Sequence, residues 1–180
     1  LAEHESRAET MSRPPIKIVL AALDSQYVHS ALAPWCLRAG LLRYCGAPFS
    51  VVVTEGNVNE PIEGFAGRII AEAPAMVGFS CYIWNVEQVV CAARAVRAAL
   101  PDCRIAFGGP EVGYRAGSFL DETPCCDFVL SGEGELPFAK LAEALYSGGE
   151  LSSVPGLCFR TEKGVAAAPP YITKEEPPSP

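Results

Sequence analysis

The sequence predicts an α/β fold: a doubly wound, parallel five-stranded sheet with helices on both faces, followed by a C-terminal β-hairpin. Three observations carry that expectation. Five short, mostly continuous apolar runs have the pattern of strands buried on both faces. Stretches of helical period lie between them, so strand and helix alternate five times, as right-handed crossovers require. After Gly149 the alternation stops, and two short β-type runs flank a turn that ends in Gly164.

The predicted strands cover residues 16–23, 49–54, 76–81, 103–107 and 127–131. The first helix carries Leu37, Leu41, Leu42 and Cys45 on one stripe and ends at Gly46. The second carries Ile62, Phe65, Ala66, Ile69, Ile70 and Ala73, with Asn59 as its expected N-cap and Pro61 in its first turn. The third runs from Val86 through Val89, Val90, Ala93 and Val96 to Leu100. There Asn85 and Gln88 have capping-box spacing, and Pro101 follows the end. The fourth connection, residues 116–123, has room for a short helix only. The fifth helix carries Phe138, Leu141, Ala142 and Leu145 and ends at Gly148-Gly149. Residues 1–15 read as a disordered leader, 16–150 as the domain and 151–168 as the hairpin, whose Leu157 and Phe159 are expected to face inward. Residues 169–180, with five prolines in twelve positions, read as a linker.

Composition narrows the function. Of the 180 residues, 49% are hydrophobic and 19% charged, which excludes a disordered chain. A net charge of −7 argues against binding a phosphate backbone, so no nucleic-acid partner is expected. No apolar run approaches the ~20 residues that span a bilayer, and the polar start has no signal-peptide core, so neither a membrane nor secretion is expected. Eight cysteines occur without a CxxC pair, mostly inside apolar segments. They predict reduced thiols in the cytoplasm and no metal centre.

In an open α/β sheet, ligands bind outside the carboxyl ends of the strands. Four loops reach that edge: Asp24-Ser25-Gln26-Tyr27-Val28-His29-Ser30, Tyr82-Ile83-Trp84-Asn85, Gly108-Gly109-Pro110-Glu111 and Gly132-Glu133-Gly134-Glu135. The first βα turn has no GxGxxG, and Gly132-Glu133-Gly134 is a partial echo in the wrong unit with carboxylates where a pyrophosphate needs donors. GxxxxGK[ST] and GxSxG are absent as well. Dinucleotide, ATP and acyl-transfer chemistry therefore lose ground. Gly108 and Gly109 either make a turn that needs positive φ or leave volume for a bulky ligand. Tyr82 and Trp84 are either a flat apolar floor or a cover for the sheet edge. His29 is a loop hydrogen-bonding residue or a ligand, and Glu133 and Glu135 can equally be a solvated helix start.

Taken in order, these segments resemble a known family. Lys17-Ile18-Val19-Leu20-Ala21-Ala22-Leu23 and the loop after it are followed by Val77-Gly78-Phe79-Ser80-Cys81 with Tyr82 to Asn85. Then come Gly108-Gly109-Pro110-Glu111-Val112, Ser131-Gly132-Glu133-Gly134-Glu135 and Gly156-Leu157-Cys158-Phe159-Arg160. Together they resemble the amino-terminal cobalamin-binding domain of cobalamin-dependent radical SAM proteins, which include methyltransferases and the anaerobic cyclase of bacteriochlorophyll synthesis.

The resemblance implies a Rossmann-like domain holding a corrin at its strand ends, with the nucleotide tail of cobalamin running into the sheet edge. It implies a cofactor site of Asp24, Tyr27, His29, Ser80, Tyr82, Trp84, Asn85, Gly108, Gly109, Pro110, Glu111, Gly132, Glu133 and Gly134, and no catalytic or metal-ligating side chain. Related cobalamin domains carry DxHxxG after the first strand; here Gln26 stands at the His position and His29 at the Gly position, so the usual axial ligand is absent. The CxxxCxxC motif of a [4Fe–4S] cluster is also absent. SAM and the cluster are therefore expected in a C-terminal radical SAM barrel of a longer parent enzyme, a methyltransferase or related C–C bond former. The alternatives are a docking or substrate-cover domain without cobalamin, and an unrelated flavodoxin-like nucleotide-binding domain.

Overall fold

The computed structural model describes residues 13–25 and 31–173. Its sheet has seven strands in the order β2-β1-β3-β4-β5-β6-β7. Strands β1 (Ile16–Asp24), β2 (Phe49–Asn57), β3 (Met76–Ser80), β4 (Arg104–Gly108) and β5 (Phe128–Leu130) are parallel. The hairpin, β6 (Leu157–Thr161) and β7 (Gly164–Ala167), continues the same sheet, because β6 pairs antiparallel with β5. Cys158 is consequently buried as well as Leu157, each on its own face, where the alternation had suggested one buried side. The Arg160 guanidinium pins the hairpin by donating to the carbonyls of Cys126, Leu120 and Thr123.

Helices α1 (Leu32–Tyr44) and α6 (Glu135–Ser147) pack on one face. Helices α2 (Ile62–Ala71), α3 (Val86–Ala99), α4 (Pro110–Gly113) and α5 (Ala116–Glu122) cover the other. The fourth connection thus holds two short helices where one was expected. Helix α1 begins five residues before the first residue of its predicted stripe. Pro34 sits in its first turn, where no N–H is needed; Leu41 is buried as expected, Leu42 of the predicted stripe is exposed, and Gly40 joins the buried face. A Cβ at Gly40 would lie 2.5 Å from the Glu135 carbonyl oxygen, so the glycine lets α1 and α6 touch backbone to backbone.

Two predicted caps act differently. Pro61, not Asn59, is the N-cap of α2, and Asn59 instead donates its N–H to Asn57 Oδ1. Asn85 is the N-cap of α3 but makes no side-chain bond to that helix; its amide is used elsewhere. Among the described residues no helix is long and apolar enough to cross a membrane.

Candidate cofactor site

Strand order reverses between β1 and β3, and the helices that follow these strands leave to opposite faces. A crevice at the carboxyl edge is the geometric consequence. A cavity of about 300 Å³ opens there, at the ends of β3, β4 and β5 between α1 and α6. Its floor follows from side-chain size. Gly78 pairs with Ala106 and Ser80 with Gly108, and all four point toward α1 and α6. The trough ends against Phe138, since a Cβ at Gly78 would lie 2.6 Å from Phe138 Cε2. Cys36 and Leu37 of α1 form one wall, and Leu130, Gly132, Gly134 and Glu135 the other. A second hollow of about 220 Å³ adjoins it, lined by Ala22, Leu23, Asp24, Ala31, Leu32, Tyr82 and Trp84.

The two glycines at the end of β4 have different reasons to be glycine. Gly109 has φ +106°, and a Cβ there would collide with the Cys81 carbonyl, so the backbone alone demands it. A Cβ on Gly108 would meet only ordinary contacts, 3.8 Å and 3.9 Å from Leu130. Only Gly108 therefore leaves volume that a larger side chain would take.

The β3–α3 loop is held by Asn85, which is 1% exposed. Its Oδ1 accepts the Tyr82 N–H at 2.9 Å, and its Nδ2 donates to the carbonyls of Leu23 at 2.9 Å and Ser80 at 3.3 Å. One amide ties the ends of β1 and β3 to the loop between them. Above it the Tyr82 and Trp84 rings stack at 4.6 Å with 7° between planes, and Trp84 remains half-exposed. Burial, then the Asp24 carboxylate, pushes the Tyr82 hydroxyl pKa up, so this ring stays neutral at physiological pH. Burial, then Glu135, raises the Cys36 thiol likewise.

Of the sequence-predicted site residues, Ser80, Tyr82, Gly108, Gly109, Gly132 and Gly134 line the main cavity, and Asp24 and Trp84 line the adjoining hollow. Asn85 is turned into the core as a clamp. Pro110, Glu111 and Glu133 lie outside both linings, and Glu133 accepts the Thr173 N–H. Tyr27 and His29 lie outside the described residues. Sequence reasoning missed α1 (Leu32, Ala33, Cys36, Leu37) and the pair Gly78 and Ala106. The readable signal was the run of small residues at alternate positions of two adjacent strands.

A doubly wound sheet with an apolar trough at the carboxyl ends of β3 and β4, beside its switch point, defines an α/β domain with a cavity for a small molecule. Residues 17–142 match the B12 binding domain, and the chain belongs to that family. It is 31% identical over 131 residues to the cobalamin-dependent radical SAM methyltransferase TokK of Streptomyces tokunonensis, covering 69% of this chain and 19% of that protein. It is 35% identical over 138 residues to the 2-(S-pantetheinyl)-carbapenam-3-carboxylate methyltransferase of Streptantibioticus cattleyicolor, covering 74% and 20%. The chain thus spans about a fifth of the length of these relatives. In fold it is similar to the cobalamin-dependent S-adenosylmethionine radical enzyme OxsB, with a TM-score of 0.74 at 16% identity, over 88% of this chain and 23% of that one. Family membership favours the cobalamin-domain expectation over a flavodoxin-like nucleotide domain.

Proposed function

We propose that this domain holds cobalamin within a longer radical SAM enzyme of the cytoplasm, a methyltransferase or related C–C bond former whose barrel lies C-terminal in the same chain. The observation that carries the cofactor reading is the trough of Gly78, Ser80, Ala106 and Gly108: four small residues side by side on two central strands, beside the switch point of a chain in the B12-binding family. The site fits the group. The cavity is predominantly apolar, and a branched side chain at Gly108 would project into it.

When bound, cobalamin supplies a cobalt–carbon bond for methyl transfer. The residues of this chain bind and orient. Ser80 and the Gly108 backbone take the nucleotide tail in the trough, and Leu37, Leu130 and Phe138 exclude water from it. Tyr82 and Trp84 present a flat aromatic shelf at the mouth. Asn85 keeps that shelf in place through three backbone hydrogen bonds. Gln26 stands where DxHxxG relatives carry histidine, so that position would offer cobalamin no imidazole.

Equilibrium dialysis of the purified chain against hydroxocobalamin tests the reading. One cobalamin per chain is expected, with electron paramagnetic resonance of the reduced form free of nitrogen splitting that His29→Ala removes. A colourless chain would leave a docking or substrate-cover domain, and flavin uptake a nucleotide domain.

A further inference from the structure

We propose that residues 171–173, where the chain leaves the sheet, are a latch on the cofactor loop, and that Glu133 is its positioning residue. The ligand half of this inference rests on the cobalamin reading above.

The loop from Ser131 to Gly134 contributes Gly132 and Gly134 to the cavity wall. On its inner side the Ser131 N–H donates to the Gly156 carbonyl at 2.9 Å and the Ser131 hydroxyl to the Gly113 carbonyl at 2.8 Å. Its other side is held by the exit segment. The Tyr171 N–H donates to the Ser131 carbonyl at 2.9 Å, the Glu133 N–H donates to the Tyr171 carbonyl at 2.8 Å, and Gly132 and Tyr171 form a parallel β-bridge. The Glu133 carboxylate completes the set by accepting the Thr173 N–H at 3.0 Å.

The fit is close enough to specify glycine twice. Gly132 has φ +90° and a Cβ there would collide with the Tyr171 backbone; Gly156 has φ +67° and its Cβ would lie 2.6 Å from the Ser131 carbonyl. A carboxylate that the sequence places in a ligand loop is thus spent on the chain's own backbone.

The latch is built to be released. Pro169 and Pro170 before it are exposed, and Ile172 is 75% exposed, so backbone hydrogen bonds rather than a buried core hold the segment down. Segments with few buried contacts open locally without global unfolding. In the longer enzyme proposed here, tension or docking on the chain beyond Thr173 would reach the cavity wall through this segment.

Tyr171→Pro removes the donor to Ser131, and Thr173→Pro removes the donor to Glu133. Neither residue lines the cavity. Hydrogen exchange in the cobalamin-free 180-residue chain is expected to speed up at the Glu133 amide roughly tenfold in Tyr171→Pro and less in Thr173→Pro, with β1 and β3 amides unchanged. Hydroxocobalamin dissociation should accelerate in the same order, and Glu133→Gln, which keeps an acceptor, should lie closer to wild type than Glu133→Ala. Unchanged exchange at Glu133 would overturn the latch. Faster exchange with unchanged dissociation would overturn its coupling to the cavity. Weaker binding in Glu133→Ala with unaltered exchange would make Glu133 a direct cofactor contact instead. Wild-type chain that takes up no hydroxocobalamin would refute the cofactor reading, and the exchange rates would still decide the latch by themselves.

Discussion

Strands β3 and β4 present two unlike faces built from neighbouring residues. Toward α2 and α3 they show Val77, Phe79, Ile105 and Phe107, with Phe79 and Phe107 rings 5.4 Å apart and Phe119 a further 5.2 Å beyond Phe107. Toward α1 and α6 they show Gly78, Ser80, Ala106 and Gly108, and a cavity. The same backbone is therefore sealed on one side and open on the other. Each buried aromatic contributes about 1.5–3 kcal/mol of transfer free energy, and the open face forgoes that gain along its trough. The contrast separates stability from binding by a single step along the chain.

Neighbouring substitutions should divide accordingly. Phe107→Ala, on the sealed face, is expected to cost about 3–5 kcal/mol in urea unfolding. Gly108→Val, one residue on, should change stability by less than about 1 kcal/mol yet weaken hydroxocobalamin binding roughly a hundredfold, about 2.8 kcal/mol. Gly109→Ala belongs with the first kind despite its place in the loop: positive φ and the Cys81 carbonyl should make it lose about 1–3 kcal/mol or more. Equal losses of binding and stability in Gly108→Val would dissolve the distinction.

Asn85 joins the two regions. Asn85→Ala would strand the Tyr82 N–H and the Leu23 and Ser80 carbonyls, with an expected cost of about 1–3 kcal/mol by thermal or urea unfolding. Tryptophan fluorescence should report the shelf at the same time, because Trp84 stacks on the loop that Asn85 fastens. A variant as stable as wild type would mean that water replaces the amide without penalty.

Much of this was legible in the sequence, and for physical reasons. Continuous apolar runs identify strands covered on both faces, so β1 to β5 and their order of appearance could be read directly. The loops at the carboxyl edge could be read because topology places them there. In helix α1 periodicity found the buried Leu41 but began the helix late and missed the close approach at Gly40, because it is blind to a glycine that permits backbone contact. Asn85 has N-cap spacing, yet its side chain serves three backbone groups that belong to β1, β3 and the loop between. No local pattern encodes that distribution. The Gly132–Tyr171 pairing escaped for a related reason: a segment rich in proline was read by composition, whereas its partners are fixed by register.

Thiol reactivity gives a chemical view of the same two faces. Cys81, Cys103, Cys125, Cys126 and Cys158 lie in the sealed core; burial pushes the Cys103 pKa up to about 11 and those of Cys81 and Cys126 further still. Cys91 is exposed, and Cys36 lines the cavity half-buried. Iodoacetamide at pH 8 should alkylate Cys91 first and Cys36 more slowly, leaving the core thiols untouched until the chain unfolds. Cobalamin in the cavity should slow Cys36 alone, roughly tenfold, since access rather than thiolate fraction changes. Protection of Cys91 to the same degree would show that the effect is not local to the cavity.

The smallest expected effect concerns the end of β2, where the carboxyl edge is fastened by charge. Glu60 Oε1 accepts the Asn57 N–H at 3.0 Å, and Arg68 grips the same carboxylate at 2.9 Å and 3.0 Å. The Arg68 hydrogen bonds hold the Glu60 pKa below its ordinary value, against the opposing pull of burial. A carboxylate depressed in the folded state contributes stability above its unfolded pKa, near 4.3, and loses it as pH falls through the folded value. With Arg68 46% and Glu60 19% exposed, solvent screening limits the contribution to about 1 kcal/mol or less. Glu60→Gln keeps an acceptor for Asn57 but removes the charge and the Oε2 acceptor of Arg68, whereas Arg68→Ala also forfeits the bond to the Glu55 carbonyl. The stability gap between wild type and Glu60→Gln should therefore be full at neutral pH, narrow as pH falls below the ordinary carboxylate range, and shrink in molar salt. A gap that stays constant across that range would place the stabilisation in the hydrogen bonds and not in the charge.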